Sequence, residues 1–142
     1  QTCALPILKE IIKEFLEEKG YEVLDLGTNS TESCDYPVYG EKVGKAVAAG
    51  EANLGIAICG TGLGISLAAN KVKGIRAAVC HDVHSAHQAV EHDDVNVMCI
   101  GAQIVGPWLA RDLIDAFLQA TFVQDADFVR RVEKLALLEQ HN

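Results

Sequence analysis

Residues 54–80 read LGIAICGTGLGISLAANKVKGIRAAVC, and this stretch decides the fold class. The apolar runs 54–59 and 75–80 are typical of strands buried on both faces, and the small-residue segment between them favours a helix. A strand, a helix and a second strand in this order predict two parallel strands joined by a crossover. The chain is therefore expected to fold around a parallel sheet.

The same alternation of strands and helices continues on both sides of this stretch. Alternating or apolar residues predict further strands at 21–27 and 96–102, which brings the expected number of strands to four. Helices are predicted over 8–20, 38–50, 62–74, 83–92, 106–120 and 125–140. This order indicates an α/β domain whose parallel sheet is covered by helices on both faces.

The N-terminal residues 1–7, QTCALPI, have neither helical nor strand periodicity. Back-translated as CAG ACG TGT GCT CTT CCG ATC, they match the end of a common sequencing adapter. We therefore interpret residues 1–7 as a non-native scar and residues 8–142 as a single domain. The chain opens on a helix, which predicts that a first, central strand is missing or replaced at the N-terminus.

Length and charge restrict the classes of partner. The chain has 142 residues, which fits one domain with a single core. Its net charge of −8 argues against nucleic acid or an anionic membrane, because both require a basic surface. No apolar run approaches the roughly 18 residues of a membrane span. The five cysteines show no C-x-x-C spacing, which indicates reduced thiols and a cytoplasmic location.

The glycine-rich corner is the first candidate site. Cys59 ends a predicted parallel strand, and ligands of open parallel sheets bind at the carboxyl ends of strands. Gly60, Gly62 and Gly64 let backbone N–H groups point into the crevice, where a helix start would favour an anion and the thiolate form of Cys59. Cys59 is therefore a candidate base or nucleophile. The alternative is a tight turn with a packed thiol.

A dinucleotide-binding turn is a second interpretation of the same corner. The strand, the Gly-x-Gly and Asp82, about twenty residues past Gly62, imitate the fingerprint. However, the third glycine of that fingerprint would fall at position 65, which is Ile65. The turn also lies in the middle of the chain rather than after an early strand.

The second chemical cluster is CHDVHSAHQAVEHDDVN, residues 80–96. Its histidines and aspartates could form a metal site, but they spread around a helix, so surface histidines are favoured for His84 and His87. His92 precedes the strand 96–102, and we expect it near the sheet edge where Cys59 opens. Near the C-terminus, Arg130 and Arg131 cannot face the same way, so one could bind an anion while the other is solvated.

Four motifs together resemble a known family: DYPVYG, ICGTGLGISLAANKVKGIRAAVC, SAHQAVEHDDVNVMCIGAQIVG and RRVEKLALLE. They are similar to the type B ribose-5-phosphate isomerases, a family that also contains the galactose-6-phosphate isomerase subunits. The likeness runs from about Leu8 to the C-terminus. It implies a Rossmann-like three-layer αβα fold and a homodimer or tetramer with active sites at the subunit interface. It also implies aldose–ketose interconversion of sugar phosphates without a metal or other cofactor.

The resemblance also implies roles for individual residues. Cys59 would move a proton between C1 and C2, Thr61 and the following amides would steady the enediolate oxygen, and His92 would open the sugar ring. The other matching positions would bind the sugar phosphate: Gly60, Gly62, Gly64, Tyr36, Asp93 and Asn96 on the sugar, and Arg131 on the phosphate across the dimer.

Three positions depart from the family pattern: Gln103 and Asp127 stand where arginine is common, and Asp93 stands where asparagine is common. These changes leave the sugar open, so a tetrose or hexose phosphate is an alternative to ribose 5-phosphate. Two other functions remain open: a non-catalytic subunit of a heteromeric isomerase, and a nucleotide-binding module.

Overall fold

The structure is a computed structural model that describes residues 4–27 and 35–142. Within these ranges the chain forms six helices and three strands. The helices are α1 (Ala4–Glu18), α2 (Tyr36–Ala48), α3 (Leu63–Ala69), α4 (Val83–Asp93), α5 (Pro107–Gln119) and α6 (Ala126–Gln140). The strands are β1 (Gly55–Cys59), β2 (Ala77–Val79) and β3 (Val97–Gly101).

The sheet is parallel, with β3 in the centre and the strands in the order β1-β3-β2. Gly55 is opposite Val97 and Cys59 is opposite Gly101, so the carboxyl ends of β1 and β3 meet at one edge. All five residues of β3 are buried, as expected for a central strand covered on both faces. The predicted αβα arrangement around a parallel sheet is confirmed.

Two apolar clusters cover the two faces of the sheet. On one face, α1, α4 and α5 bury a cluster that includes Met98, Leu113 and Phe117. On the other face, α2 and α3 pack against Ala57 and Cys99. Helix α6 packs against α4 and has no buried residue of its own.

The predicted strand at 21–27 is wrong for this structure, because these residues form no strand. The segment is held by an ion pair between Lys9 Nζ and Asp25 Oδ2 at 3.1 Å, and by the Gly27 N–H, which donates to Asp25 Oδ1 at 3.0 Å. A strand pattern becomes a strand only where another strand offers backbone partners. In the described part of the chain β1 pairs with β3 alone, so residues 21–27 have no strand partner.

The first helix begins earlier than predicted, because α1 starts at Ala4 rather than Leu8 and so includes residues 4–7. Leu8 and Ile12, one turn apart, are buried against the sheet as their spacing predicted. The structure does not test the origin of residues 1–7, and the interpretation as a scar stays a prediction. No helix in the ranges 4–27 and 35–142 has the length and hydropathy needed to cross a membrane.

Candidate active site

The turn between β1 and α3 places a thiol at the carboxyl edge of the sheet. Cys59 is half-buried, and its Sγ accepts a hydrogen bond from the Gly62 N–H at 3.1 Å. Gly62 has a φ of +82°, in the left-handed region that glycine adopts without a steric penalty. This conformation turns the amide back toward the sulfur, where an N–H donor stabilises negative charge.

The end of β3 lies directly against this turn. A Cβ on Gly101 would lie 2.7 Å from the Gly60 carbonyl oxygen and 2.7 Å from the Thr61 Cα. The Gly101 N–H donates to Nε2 of His81 at 2.9 Å. His81 therefore fixes the end of β3 beneath the turn, a role that sequence analysis missed. The signal was available, because His81 follows β2 at the edge where Cys59 lies.

A cavity of about 1050 Å³ opens beside Cys59, Gly60, Thr61 and Gly64. Tyr36 also lines it, since a Cβ on Gly64 would lie 2.7 Å from Cε1 of the Tyr36 ring. Because Gly64 has no side chain, the Tyr36 ring can pack directly on the turn. The structure brings together five of the predicted residues at this cavity: Tyr36, Cys59, Gly60, Thr61 and Gly64. Gly62 is buried beneath them.

Gln103 is at the rim of the same cavity. A Cβ on Gly60 would lie 3.2 Å from Nε2 of Gln103, and the Gln103 N–H donates to the Gly60 carbonyl at 3.0 Å. Gln103 therefore presents a neutral amide to the cavity.

The expectation that His92 lies near the opening at Cys59 is wrong within one chain. Helix α4 descends from the carboxyl edge and ends at Asp93, and β3 then rises back to Gly101. The rise from Asn96 to Gly101 covers five residues, or about 16 Å. His92, Asp93 and Asn96 therefore lie at the amino edge of the sheet, opposite Cys59.

Asn96 braces a loop at that amino edge. Its Oδ1 accepts from the Arg76 N–H at 2.9 Å, and its Nδ2 donates to the Gly74 carbonyl at 2.9 Å. The expected contact with a sugar at the Cys59 cavity is therefore excluded within one chain, since the Asn96 amide is engaged at the other end of β3.

Helix α6 forms a second candidate surface together with His92. The His92 and Phe128 rings stack with centroids 4.1 Å apart. Arg130 pairs with Asp127, with Nη1 and Oδ1 2.8 Å apart. Arg131, one turn beyond Phe128, is exposed and has no ion pair or hydrogen bond within the described ranges. Of the two adjacent arginines, Arg131 is the one available to an anion.

Comparisons with known proteins decide the family. The sequence matches the family model described as Ribose/Galactose Isomerase over residues 4–135. Ribose-5-phosphate isomerase B of Escherichia coli is 48% identical over 134 residues, which cover 94% of this chain and 89% of that protein. The galactose-6-phosphate isomerase subunit LacB of Clostridium acetobutylicum is 41% identical over 134 residues, covering 92% and 78%. The chain belongs to the ribose/galactose isomerase family.

A solved structure of the same family supports the fold. Ribose-5-phosphate isomerase B of Clostridium thermocellum superposes with a TM-score of 0.92 at 50% identity, and the match covers 94% of this chain and 90% of that one. The Rossmann-like fold implied by the resemblance is thereby confirmed. Membership places the chain among the aldose–ketose isomerases.

The histidines of α4 other than His92 have contacts of their own in this family member. The His84 and His87 rings meet edge to face at 5.1 Å, and Nδ1 of His87 lies 2.9 Å from Oε1 of Glu91. Within residues 4–27 and 35–142, no three histidine, cysteine or acidic side chains converge as metal ligands would.

We predict that alkylation distinguishes Cys59 from Cys80 and Cys99, which are the buried cysteines among residues 4–27 and 35–142. Burial raises the pKa of Cys80 to about 11, with a contribution from the Asp82 carboxylate, and burial raises the pKa of Cys99 to about 12. At about pH 8, iodoacetamide should modify Cys59 at least ~10-fold faster than Cys80 or Cys99, because only thiolates react. Peptide mapping by mass spectrometry reads each site. Equal rates in the native state would contradict the prediction, and urea-unfolded protein is the control in which the three should react alike.

A second prediction concerns the turn itself. Gly62→Ala and Gly74→Ala both place a side chain at positive φ, +82° and +87°, which costs about 1–2 kcal/mol. Only at position 62 would the new Cβ meet backbone, 3.0 Å from the Ile100 carbonyl carbon, whereas nothing lies within 4 Å at position 74. Urea unfolding should find Gly62→Ala less stable than Gly74→Ala by roughly 1–3 kcal/mol. Equal losses of stability in the two variants would contradict the prediction and would mean that the turn at Gly62 can move to accommodate a side chain.

Proposed function

We propose that this chain interconverts an aldose phosphate and the matching ketose phosphate through an enediolate, with Cys59 as the base and ribose 5-phosphate as substrate. The observation that carries the proposal is the half-buried Cys59 thiol at the end of the cavity, with the Gly62 N–H donating to its sulfur. Membership of the family and the 48% identity to a ribose-5-phosphate isomerase B support the reaction type.

The reaction is a proton transfer with no net change in oxidation state. The Cys59 thiolate removes the proton from C2 of the open-chain aldose, and the electron pair moves through the new C1–C2 double bond onto the carbonyl oxygen. The proton returns to C1, and the proton of the C2 hydroxyl is transferred to the C1 oxygen, which gives the ketose. A base, an acid and oxyanion donors are sufficient for these steps, so the proposal includes no metal or other cofactor.

Thr61 and the backbone of the turn are proposed to stabilise the enediolate. Thr61 Oγ1 accepts from the Leu63 N–H at 3.3 Å, which leaves its hydroxyl hydrogen free to donate to substrate. Tyr36, packed on Gly64, forms the side of the cavity where the sugar would lie. The glycines allow the substrate to approach the backbone without a side chain in the way.

The ring-opening and phosphate-binding residues are proposed to come from a second copy of the chain. His92, Asp93 and Arg131 are separated from Cys59 by the height of the sheet, so the groups cannot meet on one substrate within one chain. Helix α6, which carries Arg131, exposes Leu135, Leu137 and Leu138, an apolar surface suited to a subunit contact. A homodimer would place His92 and Arg131 of one copy at the Cys59 cavity of the other.

A substrate panel tests the function. Ribose 5-phosphate, erythrose 4-phosphate and galactose 6-phosphate are each incubated with the purified chain, with and without EDTA, and aldose and ketose are quantified by NMR. We expect conversion of ribose 5-phosphate, unchanged by EDTA. Faster conversion of the tetrose or hexose phosphate would reassign the sugar, and Gln103 in place of a rim cation would explain that change.

Two further arms address the remaining alternatives. No turnover by the chain alone, with turnover after co-expression with a paralogue, would identify a subunit of a heteromeric isomerase such as the one to which LacB belongs. Tight equilibrium binding of NAD without isomerisation would support a nucleotide-binding module. A rate abolished by EDTA would overturn metal independence.

A further inference from the structure

The side chain of His81 provides a hydrogen-bond acceptor just beyond the end of β2. The Cys80 N–H donates to the Cys99 carbonyl at 3.2 Å, as in a continuing parallel ladder. The next N–H of β3 that points to this side belongs to Gly101, because alternate residues of a strand share a side. His81 Nε2 accepts this N–H at 2.9 Å. The His81 ring therefore takes the place of a backbone carbonyl of β2.

The residues that follow Gly101 hold the Cys59 turn from the other side of β3. The Ala102 N–H donates to the Cys59 carbonyl at 2.8 Å, and the Gln103 N–H donates to the Gly60 carbonyl at 3.0 Å. A shift of Gly101 would be transmitted to the turn through these two bonds.

The amide that binds the Cys59 sulfur rests on the same part of β3. The Gly62 N–H donates to Sγ of Cys59 at 3.1 Å. A Cβ on Gly62 would lie 3.0 Å from the Ile100 carbonyl carbon and 3.3 Å from the Gly101 nitrogen. The nitrogen that binds His81 thus lies directly beneath the residue that orients the sulfur.

The bond to Gly101 exists only while the His81 ring is neutral. A backbone N–H is always a donor, so Nε2 must carry a lone pair and the ring proton is on Nδ1. In the imidazolium both ring nitrogens are donors, which would leave two N–H groups facing each other across 2.9 Å. Protonation would therefore break the bond and release the end of β3 on this side.

The groups around His81 differ in whether they change charge near neutral pH. Asp82 accepts from the Ser85 N–H at 2.7 Å, and this bond, with smaller contributions from His84 and His81, lowers the pKa of the Asp82 carboxyl. Asp82 is therefore ionised wherever a histidine titrates. Helix α3, residues 102–106 and the first turn of α5 contain no charged residue. At this end of the adjoining elements the titratable groups are the exposed His84 ring and the thiols of Cys59, Cys80 and Cys99.

We propose that neutral His81 is a positioning residue for the Cys59 turn, and that protonation of His81 slows the reaction. The kinetic part rests on the proposed function, whereas the effect on the turn does not. His81 is not part of the cavity lining, so it acts through Gly101 rather than on the substrate.

The pH dependence of kcat tests the kinetic part in wild type, His81→Gln and His81→Leu. Glutamine offers an acceptor that does not titrate, whereas leucine accepts nothing. At about pH 8, His81→Gln should keep kcat within about threefold and His81→Leu should lose roughly 10-fold, because misplacing a catalytic group is costly. Between about pH 8 and about pH 5.5, the ratio of kcat in His81→Gln to kcat in wild type should rise at least ~5-fold. His84→Gln is the matched control and should keep the wild-type profile.

Alkylation of Cys59 tests the turn without substrate. A thiolate that loses the Gly62 N–H is less stabilised, so iodoacetamide should modify Cys59 in His81→Leu at least ~3-fold more slowly than in wild type at about pH 8. His81→Gln and His84→Gln should both stay within about twofold of wild type. If no sugar phosphate is converted, this arm still decides the role of His81.

NMR of the wild type covers the case in which a variant does not fold. At about pH 8 the His81 ring should have an unprotonated Nε2, because the Gly101 N–H occupies it. The Gly101, Gly60 and Thr61 amides should shift together as His81 is protonated. The Gly50 amide, in the turn after α2, is the internal control and should not follow.

Two results would overturn the positioning role: a protonated Nε2 at about pH 8, or unchanged alkylation of Cys59 in folded His81→Leu. A kcat ratio of His81→Gln to wild type that is constant with pH would overturn the kinetic part. Each of these results leaves the proposed isomerisation standing, because that is decided by the substrate panel.

Discussion

Replacing Cys59 with alanine is expected to lower kcat by about 10²- to 10⁴-fold, the contribution typical of a positioned acid or base. Substrate affinity should change little, because alanine removes the proton acceptor and leaves the cavity and its N–H donors in place. The rate is measured on the best substrate of the panel, and affinity is measured by calorimetry.

Cys80→Ala is the matched control for this experiment. Cys80 is a buried thiol outside the cavity lining, so its loss should affect stability and leave kcat within about twofold. Thermal unfolding of both variants separates a chemical from a folding effect. Retained turnover in Cys59→Ala, with normal unfolding, would exclude Cys59 as the base.

Mixing two inactive variants is expected to restore activity if the site is shared. Cys59→Ala and His92→Ala each disable both sites of a homodimer. In a mixed dimer, one site combines both changes and the other combines an intact Cys59 with an intact His92. Random assembly of equal amounts should therefore recover about a quarter of wild-type activity, because half of the dimers are mixed and half of their sites are intact.

The same mixture distinguishes a shared site from a site within one chain. Co-expression with two affinity tags isolates the mixed dimer, which should have about half of wild-type activity. Co-expression of Cys59→Ala with Thr61→Ala is the control, because both residues belong to the same cavity and neither site of the mixed dimer is then intact. This dimer should show no activity beyond the residual rate of Thr61→Ala, which is measured separately. A mixed Cys59→Ala/His92→Ala dimer without activity would contradict the shared site.

Much of the fold follows from local patterns. The apolar runs at β1 and β3 and the helical face of α1 were predictable because burial on one face or on both produces a period that the sequence displays directly. The corner at 59–64 was predictable because a left-handed turn and close backbone approach need glycine. These features depend on residues that are neighbours in the chain.

The position of His92 shows where the sequence was misread. A residue between the end of a helix and the start of the next parallel strand lies at the amino edge of the sheet, whereas Cys59 follows a strand and lies at the carboxyl edge. The direction of the parallel strands, which the order of the elements already predicts, is enough to place the two residues on opposite edges. The bracing role of Asn96 is different, because its partners Arg76 and Gly74 are about twenty residues away and only the folded chain brings them together.

By itself, the sequence determined the parallel αβα architecture, the glycine corner and the family motifs, since each is written in local spacing and residue type. Only the tertiary structure decided that residues 21–27 form no strand and that Asn96 braces the loop through Arg76 and Gly74. The physical reason is that strand pairing and side-chain contacts depend on which distant segments lie next to each other in the fold. The residue pattern within a single segment does not specify its neighbours.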